Sequence, residues 1–429
     1  LTLHSFCLIL PLKKLRSDNI LRDQSRAIVG VTDPIKFTAD YETFRPAPDS
    51  KPPTVLQVLP ALVSGGVERG TIEIAEALIM AGWRAIVVSS GGPMVRELER
   101  LGATHLLRPI HSKSPFRWRQ NMAELTAIMK EHDVDIVHAR SRMPAWIAYQ
   151  ATRRHKLPFV TTFHGRHPDL NPVKKFYNSV LTRSDRVIAI SHFIAEDIAQ
   201  RYRFDVNKLR VIQRGVDLNM FDPDRVSAAR MIKFTNEWRL PDGVPVIMLP
   251  ARVTRWKGHE LLIEALAQLA DIKFRCLMVG NADQKAPFKA ALERQAESLG
   301  IADRIHFVGT SRDMPAAYKV ADVVVSPTLI PEPFGRVVVE AQAMGRPVIA
   351  SAHGGHLETV LDGKTGWLTA PNDATALSQA LRHALTISPE QRAKIAAAAI
   401  AHARANFSSF DMCARTLAVY SEILAKNSP

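Results

Sequence analysis

The strongest constraint on this fold is the recurrence of short apolar, β-branched runs between stretches long enough to be helices. The first series is TVLQVLP (54–60), AIVVSS (85–90), DIVHAR (135–140), PFVTTFH (158–164), RVIAIS (186–191) and LRVIQRG (209–215). Near-continuous apolar strands are buried on both faces, and helices between them indicate parallel pairing. A polar stretch at 217–243 interrupts the series. It restarts with VPVIMLPA (244–251), FRCLMVG (274–280), IHFVG (305–309), DVVVSP (322–327) and PVIAS (347–351). The break argues against eight strands closing into one barrel and for two doubly wound α/β domains. Residues 373–405 read as Ala-rich helix, and 408–425 as a final helix. The expected organisation is an N-terminal extension over 1–52, a Rossmann-like domain over 53–220, a second over 221–405, and a C-terminal helix over 406–429 that returns to the first domain. Ligands of open α/β sheets bind beyond the carboxyl ends of the strands, which places a site in the cleft between the domains.

The 429 residues suit two such domains. Charge is the unusual property: 56 Lys and Arg face 42 Asp and Glu, a net of +14. Residues 1–220 hold 32 of these cations against 21 anions, and residues 221–429 hold 24 against 21. A basic excess points to an anionic partner: nucleic acid, an acidic membrane face or a phosphorylated substrate. No RNP signature, zinc-finger spacing or helix-turn-helix pattern supports nucleic acid. Cys7, Cys276 and Cys413 are too far apart for a metal motif or a disulfide framework, which fits a reducing cytoplasm. The opening apolar run is about 10 residues, too short to span a bilayer. It also lacks the flanks of a signal peptide. No transmembrane helix is expected elsewhere.

Four strand ends carry candidate chemistry. Ser64-Gly65-Gly66-Val67-Glu68 follows the first strand and opens a helix, where glycines let a backbone approach a phosphate. A tight turn without a ligand explains Gly-Gly equally well. In Pro331-Glu332-Pro333-Phe334-Gly335-Arg336-Val337-Val338-Val339-Glu340, two glutamates flank a loop-to-helix junction. The amides of Gly335, Arg336 and Val337 open that helix as an anion site, and Glu332 and Glu340 can accept from hydroxyls. Solvated glutamates are the plain alternative. Arg252, Arg255 and Lys257, in RVTRWKG, stand at another strand end and suit a departing diphosphate. His164, in TTFHG, ends an otherwise apolar strand beside an open loop and is preferred over His138 as a functional histidine. Asp133-Val134-Asp135 precedes its strand instead of following it, so it reads as turn residues and not as a metal motif. No G-x-S-x-G nucleophile elbow is present.

Together these pieces resemble the retaining glycosyltransferases of family 4, with the GT-B fold. The matching segments are SGGVE (64–68), TTFHG (161–165), VIQRGVD (211–217), RVTRWKG (252–258), VGT (308–310), EPFGRVVVEA (332–341), GRPVIAS (345–351), G-G-x-x-E (354–358) and TGWL (365–368). The resemblance implies a nucleotide-sugar donor held in the second domain and an acceptor held in the first. It implies that Glu340 binds the ribose and Glu332 the transferred sugar. Arg252 and Lys257 would hold the diphosphate, and Gly65 and Gly66 would let the first loop close over it. Gly309 and Thr310 would meet the base, and Phe334, Gly335, Arg336 and Val337 would complete the donor site. His164, Glu332, Arg252 and Lys257 would form the catalytic group. The mechanism implied is transfer with retention, without a metal or other cofactor. No carboxylate nucleophile stands out, which favours front-side attack guided by the leaving phosphate. One departure is Arg214, where the family often has Asn.

Basic stretches with interleaved aromatics, SPFRWR (114–119) and KKFY (174–177), join RRHK (153–156) in the first half. They suit an anionic lipid interface. The expectation is a cytoplasmic enzyme, peripheral on the inner face of the cytoplasmic membrane, with a lipid-linked or lipopolysaccharide-type acceptor. The competing readings are a GT-B nucleotide-sugar epimerase or synthase acting on soluble substrates, and a basic nucleic-acid-binding protein.

Overall fold

A computed structural model describes residues 40–112, 114–282 and 286–427. The first sheet contains β1 (Thr54–Val58), β2 (Arg84–Ser89), β3 (Thr104–Leu107), β4 (Ile136–Ala139), β5 (Phe159–Phe163), β6 (Arg186–Ala189) and β7 (Leu209–Val211). The second contains β8 (Val246–Pro250), β9 (Arg275–Val279), β10 (Ile305–Gly309), β11 (Val323–Ser326), β12 (Val348–Ser351) and β13 (Gly366–Thr369). Their orders are β3-β2-β1-β4-β5-β6-β7 and β10-β9-β8-β11-β12-β13. Every pairing within both sheets is parallel. Two doubly wound α/β sheets are therefore present, as the sequence predicts. Strand residues alternate between the two faces. In β1, Leu56 and Val58 enter one core cluster while Val55 enters the other, and in β8 Met248 and Ile247 divide likewise.

Two strands escape the sequence reading, β3 and β13, and both are sheet edges. No residue of β3 is buried, and only the two ends of β13 are. With so little burial, neither carries the continuous apolar run by which an interior strand is read. The polar stretch after β7 contains a helix of its own, Ala228–Glu237.

The helix Ser409–Asn427 returns to the first sheet and packs beside the helix Gly66–Met80, with Met412, Cys413, Ala414, Leu417, Tyr420 and Ile423 in the shared core. The Tyr420 hydroxyl lies 2.6 Å from His138 Nδ1. Glu422 accepts from Arg186 and Arg210 at 2.6 and 2.9 Å. Residues 1–39 of the expected extension lie outside the described residues, but its end packs on the first unit. There Tyr41 is buried against Phe410, with ring centres 4.3 Å apart, and Trp83 Nε1 donates to Phe44 O at 2.7 Å. Leu417 is fully buried. Leu417→Ala should lower the free energy of unfolding by about 2–5 kcal/mol, read from chemical denaturation.

Candidate active site

Strand order reverses between β1 and β4 in the first sheet and between β8 and β11 in the second. Crevices form at such switch points. The loops after β1, β8 and β11 carry the first glycine pair, the Arg252–Lys257 segment and the Glu332–Gly335 segment respectively. Position in the fold therefore gathers motifs that are far apart in the chain.

In the second unit, Gly258 takes φ 77°, and a Cβ there would lie 1.8 Å from Pro327 O. Only glycine lets this turn press against the end of β11. The turn delivers Lys257, whose Nζ lies 4.1 Å from the Trp256 ring centre and 2.7 Å from Glu332 Oε2. Both members of this ion pair are 14% exposed. Glu332 is fixed through its backbone, since its carbonyl accepts from Gly355 N at 2.7 Å. Gly335 takes φ 92° and opens the helix Arg336–Ala343. The first amides of this helix, including those of Arg336 and Val337, have no partner within it. A Cβ on Gly335 would lie 2.7 Å from His356 Cδ2.

The Glu340 carboxylate accepts from Tyr318 Oη at 2.9 Å and Arg336 Nε at 3.1 Å, both of the second unit. Burial raises its pKa, opposed by Arg336 and the Tyr318 hydroxyl. The Arg336 side chain continues to Glu73 Oε1 at 2.8 Å, on the helix Gly66–Met80 of the first unit. Phe334 turns inward, with its ring buried against Phe407 at 5.6 Å. Only its backbone is left for the cleft. Gly309 ends β10 with φ 72°, and Thr310 is exposed beyond it.

In the first unit, Gly65 and Gly66 are exposed, and the Glu68 carboxylate folds back over Gly65. Burial raises the Glu68 pKa, while the charges of Arg252 and Arg214 oppose the rise. Arg252 itself is exposed. His164 Nδ1 lies 2.6 Å from Arg214 Nη2, which also donates to Gly66 O at 3.1 Å. Burial, then the charges of Arg214 and Arg140, hold the His164 pKa well below the usual histidine value. His138 is fully buried between Tyr420 Oη and Thr162 Oγ1, at 2.6 and 2.7 Å, a structural arrangement.

The two halves meet. A Cβ on Gly165 would be 3.2 Å from Pro333 Cγ, so the His164 strand end abuts the Glu332 loop. Ser191 Oγ donates to Pro333 O at 2.6 Å. Glu358, in the G-G-x-x-E segment, accepts from the amides of His192 and Phe193 at 3.0 and 2.7 Å and from Gln213 Nε2 at 2.9 Å. It caps the helix His192–Arg201 of the first unit. Sequence reasoning assigns no role to Glu73, Ser191 or Glu358. The one signal for Glu73 is its place between Ile72 and Ile74 on a helix that is otherwise largely apolar.

Asp133 and Asp135 lie at the opposite end of β4 from the cleft. Asp133 pairs with Lys51 at 2.6 Å, and Asp135 accepts from Thr54 N at 2.7 Å. Among the described residues no group of three or more His, Cys, Asp or Glu could hold a metal ion.

Two histidines behind the second-unit loops link the site to pH. His356 Nδ1 donates to Ser351 O at 3.1 Å and its Nε2 lies 3.2 Å from Ser326 Oγ, and His259 begins the helix after Gly258. Burial lowers both from 6.5 to about 4. Between those values the unfolded chain binds more protons than the folded one, so stability is complete above the upper value and declines below it. The denaturation midpoint should fall as pH drops from about 7 to about 5, and His356→Gln should flatten that slope.

Residues 64–220 match the family described as Glycosyltransferase Family 4, and residues 231–402 match Glycosyl transferases group 1. A D-inositol 3-phosphate glycosyltransferase of Xylanimonas cellulosilytica is 31% identical over 303 residues, covering 67% of this chain and 72% of that protein. Further enzymes of that name are spanned over 62–70% of their length. A glycosyltransferase structure from Rickettsia africae superposes with TM-score 0.83 at 39% identity, over 88% of this chain and all of that one. The Anabaena protein Alr3699/HepE, in complex with UDP-glucose, superposes with TM-score 0.75 at 25% identity, over 87% and 99%. The chain belongs to the family 4 and group 1 glycosyltransferases with the GT-B fold.

Proposed function

We propose that this protein transfers a sugar, with retention at the anomeric carbon and without a bound metal, from a nucleoside diphosphate sugar to an anionic acceptor. The observation that carries the reading is the Lys257–Glu332 pair, 2.7 Å apart in the second unit, on a loop that abuts the His164 strand end of the first. A largely buried ion pair gains little net stability, because desolvation offsets the attraction. Its members are therefore available to a better-matched ligand. A donor diphosphate takes the Lys257 ammonium, with Arg252 and the amides of Arg336 and Val337 around it. Glu332 then accepts from hydroxyls of the transferred sugar, and Glu340 uses its remaining lone pairs for the ribose. Gly65 and Gly66 leave the first loop open to approach the phosphates, and the base lies toward Gly309 and Thr310.

The acceptor hydroxyl attacks the anomeric carbon from the face that the diphosphate leaves. The new carbon–oxygen bond forms as the bond to the phosphate oxygen breaks, and the acceptor proton passes to that leaving oxygen. Charge growing on the diphosphate is stabilised by Lys257, Arg252 and the helix start. Lys257→Ala should lower kcat by about 10²–10³-fold, the effect of one preorganised donor. The assay uses whichever UDP-, GDP- or ADP-sugar raises the melting temperature most. Near-normal turnover would remove this role.

The acceptor reading rests on the first unit. Leu170, Val173 and Phe176 are exposed around Lys174 and Lys175. Arg183 stacks over Phe176 and Trp146 at 4.9 and 5.0 Å, and its surface continues to Arg153 and Lys156. No helix among the described residues is long and apolar enough to cross a membrane. Cations beside exposed apolar groups fit peripheral attachment to anionic lipid. We favour a lipid-linked or lipopolysaccharide-type acceptor at the inner face of the cytoplasmic membrane. The relatives named for inositol 3-phosphate favour a second reading, a soluble polyol phosphate. Binding to anionic vesicles should weaken with salt. It should also fall by about 1 kcal/mol per cation in Lys174→Ala and Lys175→Ala. Salt-insensitive binding, or none, favours the soluble acceptor.

A further inference from the structure

Arg214 lies two residues before Val216, where the chain crosses to the second unit. There Val216 N donates to Phe407 O at 2.8 Å, and Ser409 N donates to Val216 O at 2.9 Å. The guanidinium is buried and touches three elements: Gly66 O at 3.1 Å, His164 Nδ1 at 2.6 Å and Met412 Sδ at 3.7 Å. Gly70, inside the helix Gly66–Met80, makes room for it, since a Cβ there would lie 2.1 Å from Arg214 Nη1. A guanidinium only donates. The His164 Nδ1 must therefore be an unprotonated acceptor, and the neutral ring carries its proton on Nε2. That Nε2 is shielded from solvent and has no partner in the protein.

We propose that Arg214 is a positioning residue that locks His164 in the neutral Nε2–H tautomer, so that His164 offers a fixed hydrogen-bond donor to a substrate oxygen and does not accept a proton. The substrate half of this inference rests on the glycosyl-transfer reading above. The charged and titratable groups acting on the ring are Arg214, Arg140, His138 and His167, and all disfavour its imidazolium form. Glu73 and Arg336 act in turn on Arg214, with opposite signs. From the second unit, the loop against Gly165 presents Pro333, which is uncharged. An imidazolium would set an N–H against the Arg214 N–H groups, so protonation requires Arg214 to leave.

The test is ¹⁵N NMR of histidine-labelled protein, with His164 assigned through His164→Gln, together with the pH profile of kcat/KM. In the unsubstituted chain Nδ1 should remain unprotonated and Nε2 protonated from about pH 5.5 to about 8.5, with no acid limb from His164. Arg214→Asn should let the ring titrate and exchange tautomers. It should lower kcat by about 10–100-fold and bring in an acid limb at higher pH than in the unsubstituted chain, still below the ordinary histidine pKa because burial and Arg140 remain. Arg214→Lys, which keeps a donor, should recover part of the loss. Gly70→Ala favours its helix yet evicts the guanidinium, so it should reproduce the Arg214→Asn spectrum. A proton on Nδ1 in the unsubstituted chain would overturn the lock, as would a tautomer unchanged in both Arg214→Asn and Gly70→Ala. A protein that shows this tautomer but transfers no sugar from any nucleotide sugar would remove the transfer reading and leave the lock standing.

Discussion

The cleft depends on the crossing where Val216 is stitched to Phe407 and Ser409 by two backbone hydrogen bonds. Each sheet is rigid in itself, and the candidate groups are divided between them. Lys257 and Glu332 belong to one sheet, and His164 and the first glycine loop to the other. Their mutual distances are therefore set by how the sheets are held, and polar contacts cross between them. Glu358 caps a helix of the other unit, Arg336 reaches Glu73, and Ser191 holds the Pro333 carbonyl. Hydrogen bonds of this kind contribute about 1 kcal/mol each. Arg214 stands at the crossing and touches both the glycine loop and His164, so the position of the crossing is transmitted directly to the reacting region.

The interior strands were legible in the sequence because burial on both faces leaves an unbroken apolar run. Thr104–Leu107 and Gly366–Thr369 were not, because the first buries no residue and the second only its two ends, so neither carries an apolar run. Lys257 and Glu332 were legible as residues of strand-end loops, but their pairing was not, because 75 positions separate them. Glu73 and Glu358 were illegible, since each finds its partner in the other unit. Gly70 was unexplained as well. A glycine inside a helix costs about 1 kcal/mol relative to alanine, and only the Arg214 guanidinium lying against it gives a reason. Arg214 stood out as a departure from the family pattern, yet nothing in the sequence said that it would meet His164.

Charge divides more finely than the net of +14 suggests. Part of the first-half excess is not on the surface. Arg140 and Arg214 are buried at the carboxyl ends of the strands and bond to Gln57, Gly66 and His164, not to carboxylates. Burial without an ionised partner is costly unless a site uses the charge, and these two charges add to the burial that keeps His138 and His164 neutral. Among the described residues, Lys174, Lys175 and Arg183 stand on an outer face of the first unit beside exposed Val173 and Phe176. One sign of charge thus occurs in two settings: buried beside the cleft histidines, and exposed on an outer face.

The central claim is that the cleft carries out glycosyl transfer with the leaving phosphate and the attacking hydroxyl on one face of the sugar. The most direct measurement follows the anomeric proton by NMR as product first forms from an α-linked nucleotide sugar. An α-linked product is the predicted result. A β-linked product, or nucleotide release without a new glycosidic bond in the presence of acceptor, would contradict it.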